Sequence, residues 1–393
     1  MPQKQPLTTI LFAYGFRPFF LVASFWSVFI MTSWILLLNG YWSLPTFLTP
    51  VLWHAHELLF GFVAASAAGF LLTASPNWSK KPALKGTPLQ WLLFCWVAGR
   101  VAIVSAPWWP AWLVAALDLL FLLALIVSTG TTLWYSGNKM HRIFPLLLTL
   151  FLVGNGLMHG EATGLLENTA RTGLYLGVDA IVFFLVMVGG HIMPMFTRNA
   201  LAQTENLPPF KIIPILEIAG LVTMVGVVLA DVFLLGQPLA APFLVLAGIV
   251  QAVRFSQWHS LKTVSIPLLW VLHLGYACLV LGLVGRGIAQ WNGLISPSAA
   301  LHILTVGAMG LFTLGIMSRV SLAHTGRALQ ASPQLTLAYA LIASAAVVRV
   351  FGVGLWPMEM LSLAALLWIV GFGLFLMEFF LFWIRPRVDG QPG

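Results

Sequence analysis

Charge is what this chain has least of. Only 8% of its 393 residues are Asp, Glu, Lys or Arg, where a soluble domain carries roughly a quarter. Such a chain cannot clothe a surface in water, and a 60% hydrophobic content with a mean hydropathy of +0.95 places it in lipid. Cysteine is nearly absent too. Cys95 and Cys278 stand alone in apolar segments, with no CxxC, CxxCH or multi-cysteine set. That excludes covalent c-type haem, iron–sulfur and zinc–thiolate sites, and each cysteine reads as a small buried hydrophobe. Long polar runs are missing as well. The longest connections reach about 14 residues, so no soluble domain fits, and residues 1–393 are expected to form a single integral membrane domain. The first twenty residues hold no short apolar run before a small-residue cleavage site, so no removable signal peptide is expected.

What is present is a succession of apolar segments of about 20 residues, each able to cross about 30 Å of hydrocarbon. Twelve are read, at 18–39, 51–74, 88–105, 110–134, 143–162, 172–196, 212–235, 239–257, 266–288, 297–320, 334–353 and 358–384. The expected fold is an all-α polytopic membrane helix bundle of about twelve transmembrane helices. With the N-terminus in the cytoplasm, 15 Lys and Arg residues fall inside and only 4, Arg100, Arg171, Arg286 and Arg349, fall outside. That asymmetry is a positive-inside signal, and it puts both termini in the cytoplasm. The net charge of +8 is then a matter of topology. It calls for no nucleic acid; the partner is the bilayer.

Against this background, LWHAHELLFGF at 52–62 carries His54, His56 and Glu57 inside an apolar run. Chain direction brings His159 and Glu161 (GNGLMHGEATG) and His302 (PSAALHILTVG) to the same outer half, along with Arg100, Asp118, Asp179, Asp231, Arg286, Arg349 and Glu359. An ionisable group in a span costs about 2.5–3.5 kcal/mol on insertion scales and marks function by default. Arg171, Glu167 and Glu359 are able to snorkel to water; histidine is too short for that. Such a density points to a polar cavity or a bound cofactor.

On a regular helix His54 and Glu57 share a face, while His56 points about 200° from His54. One metal does not readily take both. Imidazoles facing one another from separate spans suit haem iron or copper, with His54, His56, His159, His302, Glu57 and Glu161 as the candidate ligands. Arg100 is a candidate partner for haem propionates; the alternative is a helix-end charge paired with Asp118. His191 and His273 are weaker candidates for a second site, as is loop His324. Met193, Met195, Met309 and Met317 read as packing rather than copper ligands. Loops 75–87, 197–210 and 321–333 are basic and turn-rich, suited to lipid headgroups. Gly69, Gly190 and Gly315, each near a similar helix ending, recur at intervals of 121 and 125 residues. That spacing suggests a pseudo-threefold plan of three times four helices.

Taken together, LFAYGFRPFF at 11–20, LWHAHELLFGF at 52–62, GFLLTASPNWSKKPALKG at 69–86, WVAGR at 96–100, GGHIMPMFTRNAL at 189–201, LHLGYACLVLGL at 272–283 and LHILTVGAMGLFTLGIMSRVSLAHTGRAL at 301–329 resemble the NnrS family. The resemblance covers nearly the whole chain. It implies a twelve-span inner-membrane protein containing haem and copper, which accompanies the nitric-oxide response of denitrifying and other bacteria and protects against nitrosative stress. His191 stands where the family leads us to expect arginine, which suggests an anion-facing or structural role there.

Three functions follow as expectations. The first is a haem/copper protein that meets nitric oxide or its iron adducts, with His54 or His56 and His302 on haem, and His159 with Glu161 or Glu57 on copper. The second is a nitric-oxide reductase or haem–copper oxidase-like enzyme. The single histidine of the tenth span and the absence of clustered histidines in the sixth and seventh weigh against it. The third is a proton-coupled transporter using Asp118, Asp179, Arg349 and Glu217. The electron donor, if there is one, is not legible.

Overall fold

In the computed structural model, which describes residues 6–43, 47–201 and 213–391, helices are joined by turns and short connections with no strand among the described residues, and twelve of these helices are long and apolar enough to cross a membrane. They are α1 (Phe16–Leu38), α2 (Pro50–Ser79), α3 (Thr87–Val104), α4 (Ala111–Trp134), α5 (Lys139–Ala162), α6 (Ala170–Leu201), α7 (Pro214–Phe233), α8 (Pro238–Ser256), α9 (Pro267–Asn292), α10 (Pro297–His324), α11 (Pro333–Gly352) and α12 (Pro357–Ile384). Lipid leaves backbone groups no water to bond, so each span must satisfy its own amides internally. Most boundaries fall within a few residues of the sequence expectation. Three basic loops are shorter than expected, because α2 continues to Ser79, α6 to Leu201 and α10 to His324. The remainder of the expected 197–210 loop, from residue 202, lies outside the described residues.

Proline starts many of these helices. At the first turn its missing N–H removes one orphan donor and its φ is already helical. Thr49, Ser296 and Ser332 each stand before such a proline, and each hydroxyl accepts a backbone N–H from the first turn.

The described chain falls into two compact units. The first comprises 1–177, 316–329 and 372–393; the second comprises 178–315 and 330–371. In the first unit α2 is the buried helix, with almost every residue from His56 to Thr73 away from solvent and lipid. Arg17 of α1, fully buried, closes the C-terminal end of α12. Its Nη1 donates to the carbonyls of Phe382, Trp383 and Arg385 at 3.1, 2.8 and 2.9 Å. Those carbonyls have no intrahelical donor, and the cation also complements the negative end of the helix dipole. Past this point Arg387 donates to the His324 carbonyl and grips Asp389 with two hydrogen bonds.

Among the described residues, three spans leave the regular α repeat. A π-helical segment runs over Glu57–Val63 in α2, another over Ile303–Gly310 in α10, and a third over Val348–Gly352 in α11. Wide turns of this kind cluster at functional sites. The first begins immediately after His56, the second immediately after His302, and the third contains Arg349. The α2 and α10 segments are built alike: hydroxyl cap, proline, one or two α turns ending in histidine, then the π turn. The sixth span, the remaining member of the expected repeat, is described as a continuous α-helix.

Candidate metal centre

At the start of the π turn of α2, the polar residues do not pair as their spacing on a regular helix suggests. His54 and Glu57 do not act together. The His54 ring stacks on Trp34 at 4.3 Å between centroids, while Glu57 turns to its neighbour, with His56 Nδ1 at 2.8 Å from Glu57 Oε1. The Gly61 carbonyl, within the wide turn, also accepts from Trp96 Nε1 at 3.0 Å. Gly61 itself makes the room: a Cβ there would stand 2.6 Å from Trp26 Nε1 and 3.1 Å from Arg100 Nη1. Both of those groups pass it to reach Glu57. Trp26 donates to Oε2 at 3.0 Å and Arg100 to Oε1 at 2.6 Å.

Arg100 continues to Asp118 of α4, its Nη2 against Oδ1. The approach is close because α3 presents Gly99, where a Cβ would lie 3.0 Å from the Asp118 Cα. Asp118 Oδ2 collects three more groups. Asn155 Nδ2 donates to it at 2.8 Å, His159 Nε2 lies at 2.9 Å, and His56 Nε2 lies at 3.2 Å. His56 Nε2 is also 2.9 Å from Asn155 Oδ1. Five spans of the first unit therefore contribute Trp26, His56, Glu57, Arg100, Asp118, Asn155 and His159 to one buried network.

Two observations say what this network lacks. First, charge: Glu57 and Asp118 carry two negative charges and Arg100 one positive, so with neutral imidazoles the cluster is one positive charge short. Second, hydrogen: because Asn155 spends its amide on Asp118, both ring nitrogens of His56 face acceptors, Glu57 Oε1 on one side, Asn155 Oδ1 and Asp118 Oδ2 on the other. Neutral imidazole has one N–H. The ring is satisfied only as imidazolium, or with a cation at Nε2. Burying an uncompensated charge is costly enough that a group neutralises instead. His56, Asp118 and His159 offer ligand atoms all within 4.8 Å of one another, so a single cation can take all three. Glu57 then stands behind His56 in the carboxylate–histidine–metal arrangement that fixes tautomer and ring orientation. The donor set fits a metal such as copper or zinc that accepts imidazole and carboxylate.

Of the residues singled out in the sequence, the structure brings together His56, Glu57, Arg100 and His159. Arg100 is held by two carboxylates, the Asp118 alternative for it, and has an additional partner in Glu57. Glu161 is turned elsewhere: its Oε2 accepts from Ala170 N at 2.8 Å and caps the start of α6. His302 belongs to the second unit, where its Nδ1 donates to the Ser298 carbonyl at 2.7 Å and Arg349 Nη2 donates to the Ser298 hydroxyl at 2.9 Å. His191 is exposed on α6. His273 has both ring nitrogens on hydroxyls, Ser260 Oγ at 2.8 Å and Thr197 Oγ1 at 2.9 Å. His324 packs against Tyr14 and Phe16. Sequence reasoning left out Asn155 and Trp26. Asn155 had a signal, lying four residues before His159 on the same helix face; Trp26 had none.

Fold and site define a polytopic helical membrane protein with a buried histidine–carboxylate centre. The family model described as NnrS protein matches residues 10–387, and the chain belongs to that family. A comparison with curated proteins returned no match.

Proposed function

We propose that this chain is a haem- and copper-binding protein of the bacterial inner membrane that meets nitric oxide or its iron adducts and protects against nitrosative stress. One observation carries the reading: His56, Asp118 and His159, from three spans, converge within 4.8 Å in a buried cluster that lacks one positive charge. A cation at that point offsets the deficit, and copper takes imidazole readily. His302 is the residue that would best hold haem. The Ser298 carbonyl holds its Nδ1–H, which leaves Nε2 as the basic nitrogen, the polarity a metal-bound histidine needs. Arg349, fixed beside it through Ser298, takes the propionate role first considered for Arg100, whose guanidinium is committed to Glu57 and Asp118. When bound, haem iron supplies an open or exchangeable coordination position for nitric oxide. The protein's own part is to exclude water, hold the imidazoles in one tautomer and balance their charge. The basic-residue asymmetry supports cytoplasmic termini.

The test is metal analysis and an optical spectrum of the full chain purified in detergent. The reading expects copper and a Soret band that shifts on adding nitric oxide. His159→Ala is expected to lose copper and keep the Soret band; His302→Ala is expected to lose the Soret band and keep copper. A colourless, copper-free protein from haem- and copper-replete cells overturns it.

A further inference from the structure

The second unit contains a parallel charge problem with no histidine to solve it. Asp179 of α6 and Asp231 of α7 are both fully buried, and Arg286 of α9 lies between them. Arg286 Nη1 donates to Asp179 Oδ1 at 2.9 Å, and Nη2 meets Asp231 Oδ2. Two carboxylates share one guanidinium, so this cluster is again one positive charge short.

The unused oxygens locate the deficit. Asp179 Oδ2 and Asp231 Oδ1, one from each carboxyl, are buried and have no hydrogen-bond donor among the described residues. The two carboxyls are held side by side by the two Nη atoms of one guanidinium. A pair of close carboxylates in a low-dielectric site cannot both ionise and holds one proton in common.

We propose that Asp179 and Asp231 form a single-proton binding site, with Asp179 Oδ2 and Asp231 Oδ1 sharing the proton while Arg286 holds the outer oxygens. The proton comes from water and neutralises the triad: one carboxylate, one carboxylic acid, one guanidinium. Among the described residues, the other cation at this end of α6 is Arg171, eight residues before Asp179, and its guanidinium lies over the Tyr175 ring. The unit's second ionic cluster, Arg254 of α8 with Glu217 of α7, Gln251 and Tyr276, lies fourteen residues from Asp231 along α7, about 21 Å. On α10, which packs against α9, His302 turns to Ser298 and feels the charge of Arg349. The site is independent of the histidine centre in the first unit and stands or falls separately from it.

Aspartate occurs four times in the chain, as Asp118, Asp179, Asp231 and Asp389, which makes an isotope experiment decisive without any variant. Infrared spectra of the full chain in detergent near neutral pH, with and without aspartate carrying 13C in its carboxyl, are expected to show one protonated-acid C=O band that moves on labelling and on deuteration. Asp179→Asn and Asp231→Asn should each abolish that band while folding normally, because the amide N–H donates where the proton did. Asp389→Asn should leave it unchanged. No label-sensitive acid band, or one that survives both substitutions, overturns the proposal. So does a band that appears only when sodium is withheld, which would make this a metal-cation site instead.

Discussion

His56 and His159 come from α2 and α5, yet their rings stand edge to face with centroids 5.2 Å apart, and both Nε2 atoms meet the same oxygen of Asp118. Two imidazoles and a carboxylate on one point make a ligand set, and each member is expected to be needed for tight binding. His56→Ala and His159→Ala should each bring copper content from about one per chain to background. Asp118→Asn keeps the size but removes the charge, and should weaken copper retention against a competing chelator rather than abolish it. Equal copper content in all of these variants would contradict the account.

Glu57 does not reach that point but holds His56 from behind at 2.8 Å. Outer partners of this kind are worth about 10–100-fold in metal affinity. Glu57→Gln is expected to lower copper affinity by a factor in that range, measured by chelator competition, with the protein still folded. Unchanged affinity would mean that the Glu57–His56 contact is purely structural.

Arg100 binds two buried carboxylates. Its removal leaves Glu57 and Asp118 uncompensated, and breaking a buried pair by deleting one partner costs about 3–5 kcal/mol. Arg100→Leu should therefore express poorly or melt well below wild type. Charge balance also predicts partial rescue by the double variant Arg100→Leu with Asp118→Asn, read as thermal stability in detergent. A stable single variant argues against a compact charge network.

Arg17 sits in the GFRPFF stretch and closes the end of α12 with hydrogen bonds to three carbonyls. Hydrogen bonds to a charged group contribute about 1.5–3 kcal/mol each at most, so Arg17→Ala should destabilise by a few kcal/mol without changing copper content. Hydrogen exchange at 382–387 should rise selectively. Uniformly unchanged exchange would remove Arg17 from this role.

Outside the spans, Arg387 grips Asp389 through two hydrogen bonds and pulls its carboxyl down to about 2. A lowered carboxyl value means the contact is complete above the ordinary carboxylate range and is lost only as pH falls through about 2. A spin label at Gln391, with Cys95 and Cys278 replaced by Ala, should keep one mobility from about pH 8 to pH 4. Asp389→Asn should loosen it throughout. Mobility that rises already near pH 5 would contradict the contact.

Much of the fold was legible before any coordinates. Long apolar runs separated by short turns can be little else than spans, because lipid forbids exposed backbone; proline and hydroxyl caps sharpened their starts. The site was legible as a residue set more than as a geometry. Histidine and glutamate in LWHAHELLFGF announced themselves by cost alone, and Arg100 with Asp118 was a pairing considered from the start. What regular-helix angles could not supply was the π turn after His56. There Gly61 leaves room for Trp26 and Arg100 to reach Glu57, whose carboxylate meets His56 rather than His54. Depth along the chain groups Glu161 with the candidate ligands, yet at the end of α5 its carboxylate serves the next helix start. Chain direction places Asp179, Asp231 and Arg286 in the same outer half, but the arginine lies 107 and 55 residues from the two aspartates, a separation at which no local pattern reveals the pairing.

X-ray absorption at the copper edge of the metal-loaded full chain puts the His56–Asp118–His159 centre to its most direct test. The account predicts first-shell nitrogen and oxygen with the outer-ring scattering of two imidazoles, falling to one in His159→Ala. Sulfur in the first shell, or imidazole scattering that is the same with and without His159, would contradict it.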